Sequence, residues 1–152
     1  MKLWILRHGK AEPYAGNDAE RALTDHGQGE VRAVLERQYN LIDHSGLVIW
    51  SSPFVRARQS AAIARDILGA PITEYTELLQ PEAQVDRLLN ALYQSGLPNV
   101  LLASHQPLVS TLLDRLCGPA DIEHEMKTAS LAFVECEVAA ADMGKLGWLV
   151  HP

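Results

Sequence analysis

Two histidines and two arginines of this chain stand at or just after the ends of apolar runs. They are Arg7, His8, Arg56 and His105. Guanidinium groups bind phosphate oxygens through paired donors, and a neutral imidazole beside them is a competent nucleophile toward phosphorus. If the fold brings the four side chains together, their types predict a site for a phosphate or carboxylate group.

Three apolar runs would have to position these side chains. Runs 3–6, 47–50 and 100–103 lack an alternation of polar and apolar residues, which is typical of strands buried on both faces of a parallel sheet. The polar residues that follow them are Arg7-His8, Ser51-Ser52 and Ser104-His105. Open α/β sheets bind ligands beyond the carboxyl ends of their strands. The sequence therefore predicts a site at that edge, with Arg56 in the first turns of the helix after the second strand.

Strand and helix patterns alternate along about the first 117 residues. Helices are predicted at about 25–40, 56–68, 82–95 and 107–116, and a further strand at 71–75. The tail differs, because 130–138 and 146–150 have the pattern of two antiparallel strands. This order predicts an α/β fold, a three-layer sandwich with a mostly parallel sheet and right-handed crossovers.

The composition is that of one soluble globular domain over residues 1–152. The chain is 47% hydrophobic and 21% charged, and its mean hydropathy is −0.05. No apolar run approaches the ~20 residues that span a bilayer, and no signal peptide is visible. We therefore expect a cytoplasmic protein without a membrane partner. The net charge of −6 and the lack of a basic run argue against a nucleic-acid partner.

The residue spacing gives no indication of a cofactor. Cys117 and Cys136 lack the spacing of metal ligands, and we expect buried thiols rather than a disulfide. No cluster of Asp, His or Cys with metal-ligand spacing accompanies the candidate residues. The predicted site would therefore work without a metal.

Four segments resemble the sequence blocks of the histidine phosphatase superfamily, the phosphoglycerate mutase-like branch. Leu6-Arg7-His8-Gly9 resembles its Arg-His-Gly signature, and Ser104-His105 its second histidine block. Residues 52–61 resemble the Ser-Pro-x-x-Arg-Ala-x-x-Thr-Ala block, with Ser60 in place of the threonine. Leu23-Thr24-x-x-Gly27 resembles its Leu-Thr-x-x-Gly segment. The resemblance spans residues 3 to about 115 and implies a phosphoglycerate mutase-like fold.

The resemblance also implies a role for each matching residue. His8 would take the phosphoryl group covalently, and Arg7 and Arg56 would hold its oxygens. His105 would donate to the phosphoryl group in the transition state. Gly9 would allow close backbone approach rather than perform chemistry.

Arg21 is a further candidate for the phosphate site, whereas the other charged candidates are expected at the surface. Arg21 precedes Leu23-Thr24, as in the short SixA-type phosphohistidine phosphatases, where the corresponding arginine contributes to the phosphate pocket. Arg58 should point off the other side of its helix into solvent. No motif surrounds the other histidines, which are expected at the surface: His26, His44, His124 and His151.

The sequence departs from the phosphomonoesterase members in two respects. Those members carry an acid that protonates the leaving alkoxide, and helical insertions that cap the substrate. Between Arg56 and His105 there is room for little beyond a helix, a strand and another helix, so the cap is minimal. Glu77 and Glu82 flank the loop where the acid usually lies, but the surrounding pattern does not match, and surface carboxylates are the favoured interpretation.

An open site without a strong acid favours a large substrate with a good leaving group. The prediction is a metal-independent protein histidine phosphatase acting on a histidine-phosphotransfer domain or a similar phosphocarrier. Two alternatives stay open. One is a phosphomonoesterase acting on a small metabolite, phosphoserine or phosphothreonine, and the other is a phosphohistidine-binding module without turnover.

Overall fold

The computed structural model describes residues 1–118 and 124–152 of the chain. The strands are β1 (Lys2–Arg7), β2 (Val48–Ser51), β3 (Ile72–Tyr75), β4 (Asn99–Ser104), β5 (Leu131–Cys136) and β6 (Gly144–Val150). The α-helices are α1 (Asp25–Gln38), α2 (Val55–Leu68), α3 (Val85–Ser95) and α4 (Leu108–Cys117). Short 3-10 helices occupy Asp18–Glu20, Tyr39–Leu41 and Glu77–Leu79. In these described parts of the chain no helix is both long and apolar enough to cross a membrane.

The six strands form one mixed sheet in the order β3-β2-β4-β1-β5-β6. The first four are parallel, and β5 and β6 are antiparallel. In the centre, β1 pairs with β4 from Lys2 opposite Asn99 to Arg7 opposite Ser104. The predicted α/β fold with a mostly parallel sheet and an antiparallel tail is confirmed.

The helices cover both faces of the sheet. Leu3 and Ile5 of β1 pack in one apolar cluster with α3 and α4, and Trp4 and Leu6 pack in a second cluster with α1 and α2. All four side chains are essentially inaccessible to solvent. Because successive side chains of a strand point to opposite faces, an unbroken apolar run is what a strand between two helical layers requires. The predicted three-layer sandwich is confirmed.

Backbone hydrogen bonds hold three strand ends side by side. The N–H of His8 donates to the carbonyl of Ser104 (2.9 Å), and the N–H of Ser52 donates to that of Ala103 (3.0 Å). On the other flank the N–H of Ala129 donates to the carbonyl of His8 (3.0 Å). The backbone of His8 is therefore fixed from both sides.

The connection between α2 and α3 is short. Residues 69–84, all of them described, contain only β3 and the 3-10 turn Glu77–Leu79, whose first turn is capped by the Thr76 hydroxyl. Helix α3 begins at Val85 rather than near 82, because the chain after Pro81 forms a further turn first. No helical insertion lies in this segment, which agrees with a minimal cap.

Both cysteines are free thiols, as expected. Cys136 is buried, and Cys117 is partly exposed at the end of α4. Burial raises the pKa of both thiols above their ordinary value.

The start of α1 touches the loop that carries His8. The Thr24 hydroxyl accepts the Gly27 N–H (2.9 Å) and caps the helix, and the Thr24 N–H donates to the carbonyl of Lys10 (2.9 Å). A Cβ on Gly27 would lie 2.1 Å from that same Lys10 oxygen, and a Cβ on Gly9 would lie 2.5 Å from the Gly27 oxygen. Two glycines therefore permit the close approach of two backbones, which fixes the loop beside His8.

Gly27→Ala should force α1 and the His8 loop apart, because the new Cβ meets backbone atoms that cannot rotate away. We expect a loss of about 1–3 kcal/mol in the free energy of unfolding, measured by urea denaturation. Gly29→Ala is the matched control, since nothing lies within 4 Å of its Cβ, and alanine in a helix should be neutral or stabilising by up to ~1 kcal/mol. Equal stabilities of the two variants would contradict the close contact.

Candidate active site

The structure brings the four side chains of the predicted site together at the carboxyl edge of the sheet. The imidazole rings of His8 and His105 have centroids 5.0 Å apart. The Nε of Arg56 lies 3.2 Å from the Nε2 of His8. Arg7 ends β1 beside them, and its charge and that of Arg56 both affect His8.

Hydrogen bonding selects one tautomer of His8. Its Nδ1 lies 2.7 Å from the carbonyl oxygen of Gly9, which can only accept, so Nδ1 carries the proton. Its Nε2 receives the N–H of Arg56 Nε and is therefore the unprotonated nitrogen. Without a substrate, the lone pair of a neutral imidazole thus accepts a hydrogen bond from a guanidinium group. Once that N–H turns to an oxygen of a phosphoryl group, the lone pair can attack the phosphorus.

The surroundings of His8 disfavour its protonated form. Burial lowers the pKa of His8 to about 4. The hydrogen bond to the Gly9 carbonyl is the next largest effect and raises the pKa, while the charges of Arg56, Arg7 and Arg21 lower it further. The side chain is only 7% exposed. His8 is therefore neutral throughout the physiological pH range.

Arg56 is buried and held at one end by Asp18. Its Nη1 donates to the Asp18 carbonyl (2.7 Å) and its Nη2 donates to the Asp18 Oδ2 (3.0 Å). The Nε–H points to His8 instead. Two nitrogens of the guanidinium thus donate to Asp18, and the third donates to the candidate nucleophile His8.

Arg21 lies in the same cluster. Its Nη1 donates to the Asp18 Oδ1 (2.9 Å) and its Nε donates to the Glu12 carbonyl (2.8 Å). No hydrogen bond joins Arg21 to His8 in the described structure, but its charge contributes to the low pKa of His8. The structure therefore places Arg21 at the margin of the cluster, attached through Asp18.

Two of the three guanidinium nitrogens of Arg7 differ in their hydrogen bonding. Its Nη1 donates to the Met126 carbonyl (2.8 Å), while its Nε is buried without a hydrogen-bond partner in the described chain. Burial lowers the pKa of Arg7, and the charge of Glu125 opposes that effect. A buried N–H without a partner is costly, and an anion in the site would satisfy it.

His105 is oriented by Ser52. The hydroxyl oxygen of Ser52 accepts the Phe54 N–H (3.3 Å) and lies 2.7 Å from the His105 Nε2. If the hydroxyl proton goes to Nε2, the proton of the neutral ring sits on Nδ1, which is buried and has no partner among the described residues. Burial, with the charge of His8 next, lowers the pKa of His105 to about 2. In that tautomer His105 presents a neutral N–H donor.

Ser60, which replaces the threonine of the family block, joins the two halves of the cluster. Its hydroxyl donates to the Arg56 carbonyl (2.8 Å) and accepts the Gly9 N–H (3.3 Å). The helix that carries Arg56 is thereby tied to the loop that follows His8. Gly9 takes part only through its backbone, as expected.

The carboxylates considered as acids lie apart from the histidines. Glu77 and Glu82 are exposed and line a surface groove with Tyr75 and Arg87. In the described chain no hydrogen bond or ion pair joins either carboxylate to His8 or His105. Two other carboxylates do affect the cluster: Asp18, which pairs with Arg56 and Arg21, and Glu125, whose charge raises the pKa of Arg7.

Most of the remaining candidates behave as expected. Arg58 is exposed and stacks on the ring of Tyr75, with its Cζ 4.9 Å from the centroid. The exposed histidines are His26, His44 and His151. His124 was expected at the surface, which is wrong, because it is 7% exposed and its Nδ1 lies 2.6 Å from the Asp114 carboxylate. Among residues 1–118 and 124–152, no group of three or more His, Cys, Asp or Glu side chains could hold a metal ion.

Sequence reasoning missed three groups that organise the cluster. The Asp18 carboxylate accepts hydrogen bonds from two arginines, Ser52 orients His105, and the Met126 carbonyl accepts a hydrogen bond from Arg7. Asp18 stands three residues before Arg21, and that spacing was the one available signal. No residue pattern marks a backbone carbonyl as a ligand of a distant arginine.

The imidazole of His8 should titrate near pH 4 rather than near the ~6.5 of an unperturbed histidine. Its Cε1–H resonance, assigned by its loss in His8→Asn, gives the midpoint in an NMR titration. His8 then binds a proton more tightly in the unfolded chain than in the folded protein. The free energy of unfolding should therefore fall as the pH drops from about 6.5 to 4. The fall should be smaller in His8→Asn. A His8 midpoint at pH 6 or above would contradict the buried neutral ring.

Comparison with known proteins places the chain in a family. The model of the histidine phosphatase superfamily (branch 1) matches residues 3–81. The phosphohistidine phosphatase SixA of Escherichia coli (strain K12) is 32% identical over 159 aligned positions, covering 100% of this chain and 94% of that protein. A phosphohistidine phosphatase SixA homolog of Haemophilus influenzae is 31% identical over 130 positions, 78% of each protein. The structure of the protein histidine phosphatase SixA complexed with tungstate superimposes with a TM-score of 0.83 at 31% identity, over 100% of this chain and 97% of that one. This chain belongs to the histidine phosphatase superfamily, a superfamily of hydrolases.

Proposed function

We propose that the protein hydrolyses phosphohistidine on a protein substrate through a phosphorylated His8. The observation that carries the proposal is the unprotonated Nε2 of His8, which lies 3.2 Å from the Arg56 guanidinium at the open edge of the sheet. The similarity to phosphohistidine phosphatases over the whole chain supports the same activity. An imidazole fixed in this tautomer has its nucleophilic nitrogen unprotonated and its other nitrogen hydrogen-bonded to the Gly9 carbonyl.

The reaction would proceed in two displacements. In the first, the lone pair of His8 Nε2 forms a bond to phosphorus, and the bond from phosphorus to the substrate imidazole breaks. In the second, a water molecule attacks the phosphorus of phospho-His8, the P–N bond breaks, and inorganic phosphate leaves. The ring keeps its Nδ1 proton throughout. The protons of the attacking water stay on the phosphate or pass to solvent, so His8 returns to its neutral form with Nε2 again unprotonated.

The donors around His8 suit the three oxygens of the transferred group. Arg7 offers its unpartnered Nε–H, His105 its unpartnered Nδ1–H, and Arg56 the Nε–H that points to the attacking nitrogen. Donors already fixed in a buried site stabilise the charge on those oxygens without reorganising. Arg21 adds positive charge at the margin, where it contributes to holding the phosphoryl group.

The leaving group decides between a phosphoramidate and a phosphate ester. An alkoxide leaves poorly unless an acid protonates it, whereas the imidazole of phosphohistidine leaves as a neutral group once protonated by solvent. Glu77 and Glu82 are exposed and line a separate groove. A site without a neighbouring acid needs a substrate whose leaving group does not have to be protonated by the enzyme.

The short connection between α2 and α3 suits a protein substrate. Residues 69–84 contain only β3 and one 3-10 turn and add no helical cap. The turn packs against the end of β4, where the Leu79 carbonyl accepts the Ser104 hydroxyl (2.7 Å). A phosphohistidine on a protein surface can then reach His8 without displacing a cap. We infer that the partner is a histidine-phosphotransfer domain or a similar phosphocarrier.

The enzyme should hydrolyse phosphohistidine proteins far faster than alkyl phosphates. A phosphate-release assay over phosphorylated phosphotransfer domains, phosphoserine and sugar phosphates measures the preference. Glu77→Gln, Glu82→Gln and Glu125→Gln should each keep phosphohistidine turnover within about threefold, because none supplies a needed proton. His8→Ala should abolish turnover, and His105→Ala should lower it by about 10²–10³ as expected for loss of an oxyanion donor.

Three outcomes would count against the proposal. A phosphate ester turned over with higher kcat/KM than any phosphohistidine protein would indicate a phosphomonoesterase. Loss of most phosphohistidine activity in one of the glutamine variants would identify a catalytic acid. Tight binding of phosphohistidine without phosphate release would indicate a binding module.

A further inference from the structure

Asp18 is the one residue that contacts two arginines of the cluster through its side chain in the described chain. Its carboxylate accepts from Arg21 Nη1 through Oδ1 (2.9 Å) and from Arg56 Nη2 through Oδ2 (3.0 Å). Its carbonyl oxygen accepts from Arg56 Nη1 (2.7 Å). Neither the phosphoryl chemistry nor the fold described above assigns Asp18 a task.

The geometry of Arg56 shows what Asp18 does to it. A guanidinium presents two edges with paired N–H groups: an end edge formed by Nη1 and Nη2, and a side edge formed by Nε and Nη2. Asp18 occupies the end edge with its carbonyl and carboxylate oxygens. The side edge then faces His8, with the Nε–H on the histidine Nε2. Holding one edge thus directs the other edge at the nucleophile.

We propose that Asp18 is a positioning residue that aims the side edge of Arg56 at the phosphoryl group and holds Arg21 beside it. The inference rests on the proposed function, because it assigns the oriented arginines to phosphoryl transfer. The bidentate recognition of two phosphate oxygens depends on the direction of the guanidinium plane. Without the carboxylate, the backbone carbonyl of residue 18 would be the one hydrogen-bond acceptor left on the end edge of Arg56 in the described chain.

Burial and charge support a role in positioning rather than in folding. The side chain of Arg56 is 5% exposed and that of Asp18 is 46% exposed. Hydrogen bonds from Arg21 and Arg56 lower the pKa of Asp18, so the carboxylate stays ionised at neutral pH. Ion pairs with an exposed partner contribute little to stability, so removing this carboxylate should change activity much more than stability.

The test compares Asp18→Asn with Asp66→Asn. Asp66 is the control because its carboxylate pairs only with the exposed Arg65, its neighbour on α2. We expect Asp18→Asn to lower kcat for a phosphohistidine protein by about 10- to 100-fold, the usual effect of losing a hydrogen bond between charged groups. Asp66→Asn should leave kcat within twofold, and both variants should keep the melting temperature of the parent within a few degrees.

A double-substitution cycle separates positioning from a general structural effect. In an Arg56→Ala background, Asp18→Asn should lower kcat by less than about threefold, because its principal target is already gone. Equal effects in the two backgrounds would overturn the proposal. So would an Asp18→Asn enzyme with unchanged kcat.

Vanadate binding gives a readout that does not depend on the identity of the substrate. If Asp18 orients the arginines, Asp18→Asn should bind vanadate at least fivefold more weakly than the parent. Tighter binding would overturn the proposal, since it would mean that the carboxylate competes with anions for the arginines. If the parent binds vanadate but releases no phosphate from any phosphohistidine protein, the proposed function fails while the vanadate comparison still decides the role of Asp18.

Discussion

The site depends on one contact, in which the Nε–H of Arg56 meets the unprotonated Nε2 of His8 at 3.2 Å. The contact requires a neutral imidazole, and burial supplies it by lowering the pKa of His8 to about 4. It also requires Nδ1 to keep its proton, which the Gly9 carbonyl ensures. A guanidinium beside an imidazole lone pair, both of them buried, is an arrangement that suits an anionic group.

The rest of the chain holds the two partners of this contact in place. His8 is fixed because its backbone bonds to Ser104 on one side and to Ala129 on the other. Arg56 is held in place at its backbone by Ser60, which hydrogen-bonds to the Arg56 carbonyl and to the Gly9 N–H, and at its guanidinium by Asp18. The layers of the sandwich thus serve to fix one nitrogen of an imidazole against one edge of a guanidinium, and the short connection before α3 adds no helical cap.

The fold and the positions of the four central side chains could be predicted from the sequence, and the reasons are physical. Unbroken apolar runs predict strands between two helical layers, and each run ends on the polar residue that its strand delivers to the edge. The position of Arg56 can be predicted because a helix begins shortly after Ser52 and Pro53. What could not be predicted depends on contacts between distant segments: the Met126 carbonyl on Arg7, the grip of Asp18 on two arginines, and the burial of His124 against Asp114. The start of α3 is predicted three residues too early, because Glu82, Ala83 and Gln84 are residue types that favour a helix although they precede it here.

The most direct test is to identify the nitrogen that carries the phosphoryl group during turnover. The enzyme would be mixed with a phosphorylated phosphotransfer domain or with phosphoramidate, quenched in alkali to preserve P–N bonds, and digested for mass spectrometry and ³¹P NMR. Because Nδ1 of His8 is bonded to the Gly9 carbonyl, the phosphoryl group is predicted on Nε2 of His8 and should be absent from His8→Ala. A phosphoryl group on Nδ1 or on His105, or full turnover by His8→Ala, would contradict the central role of that nitrogen.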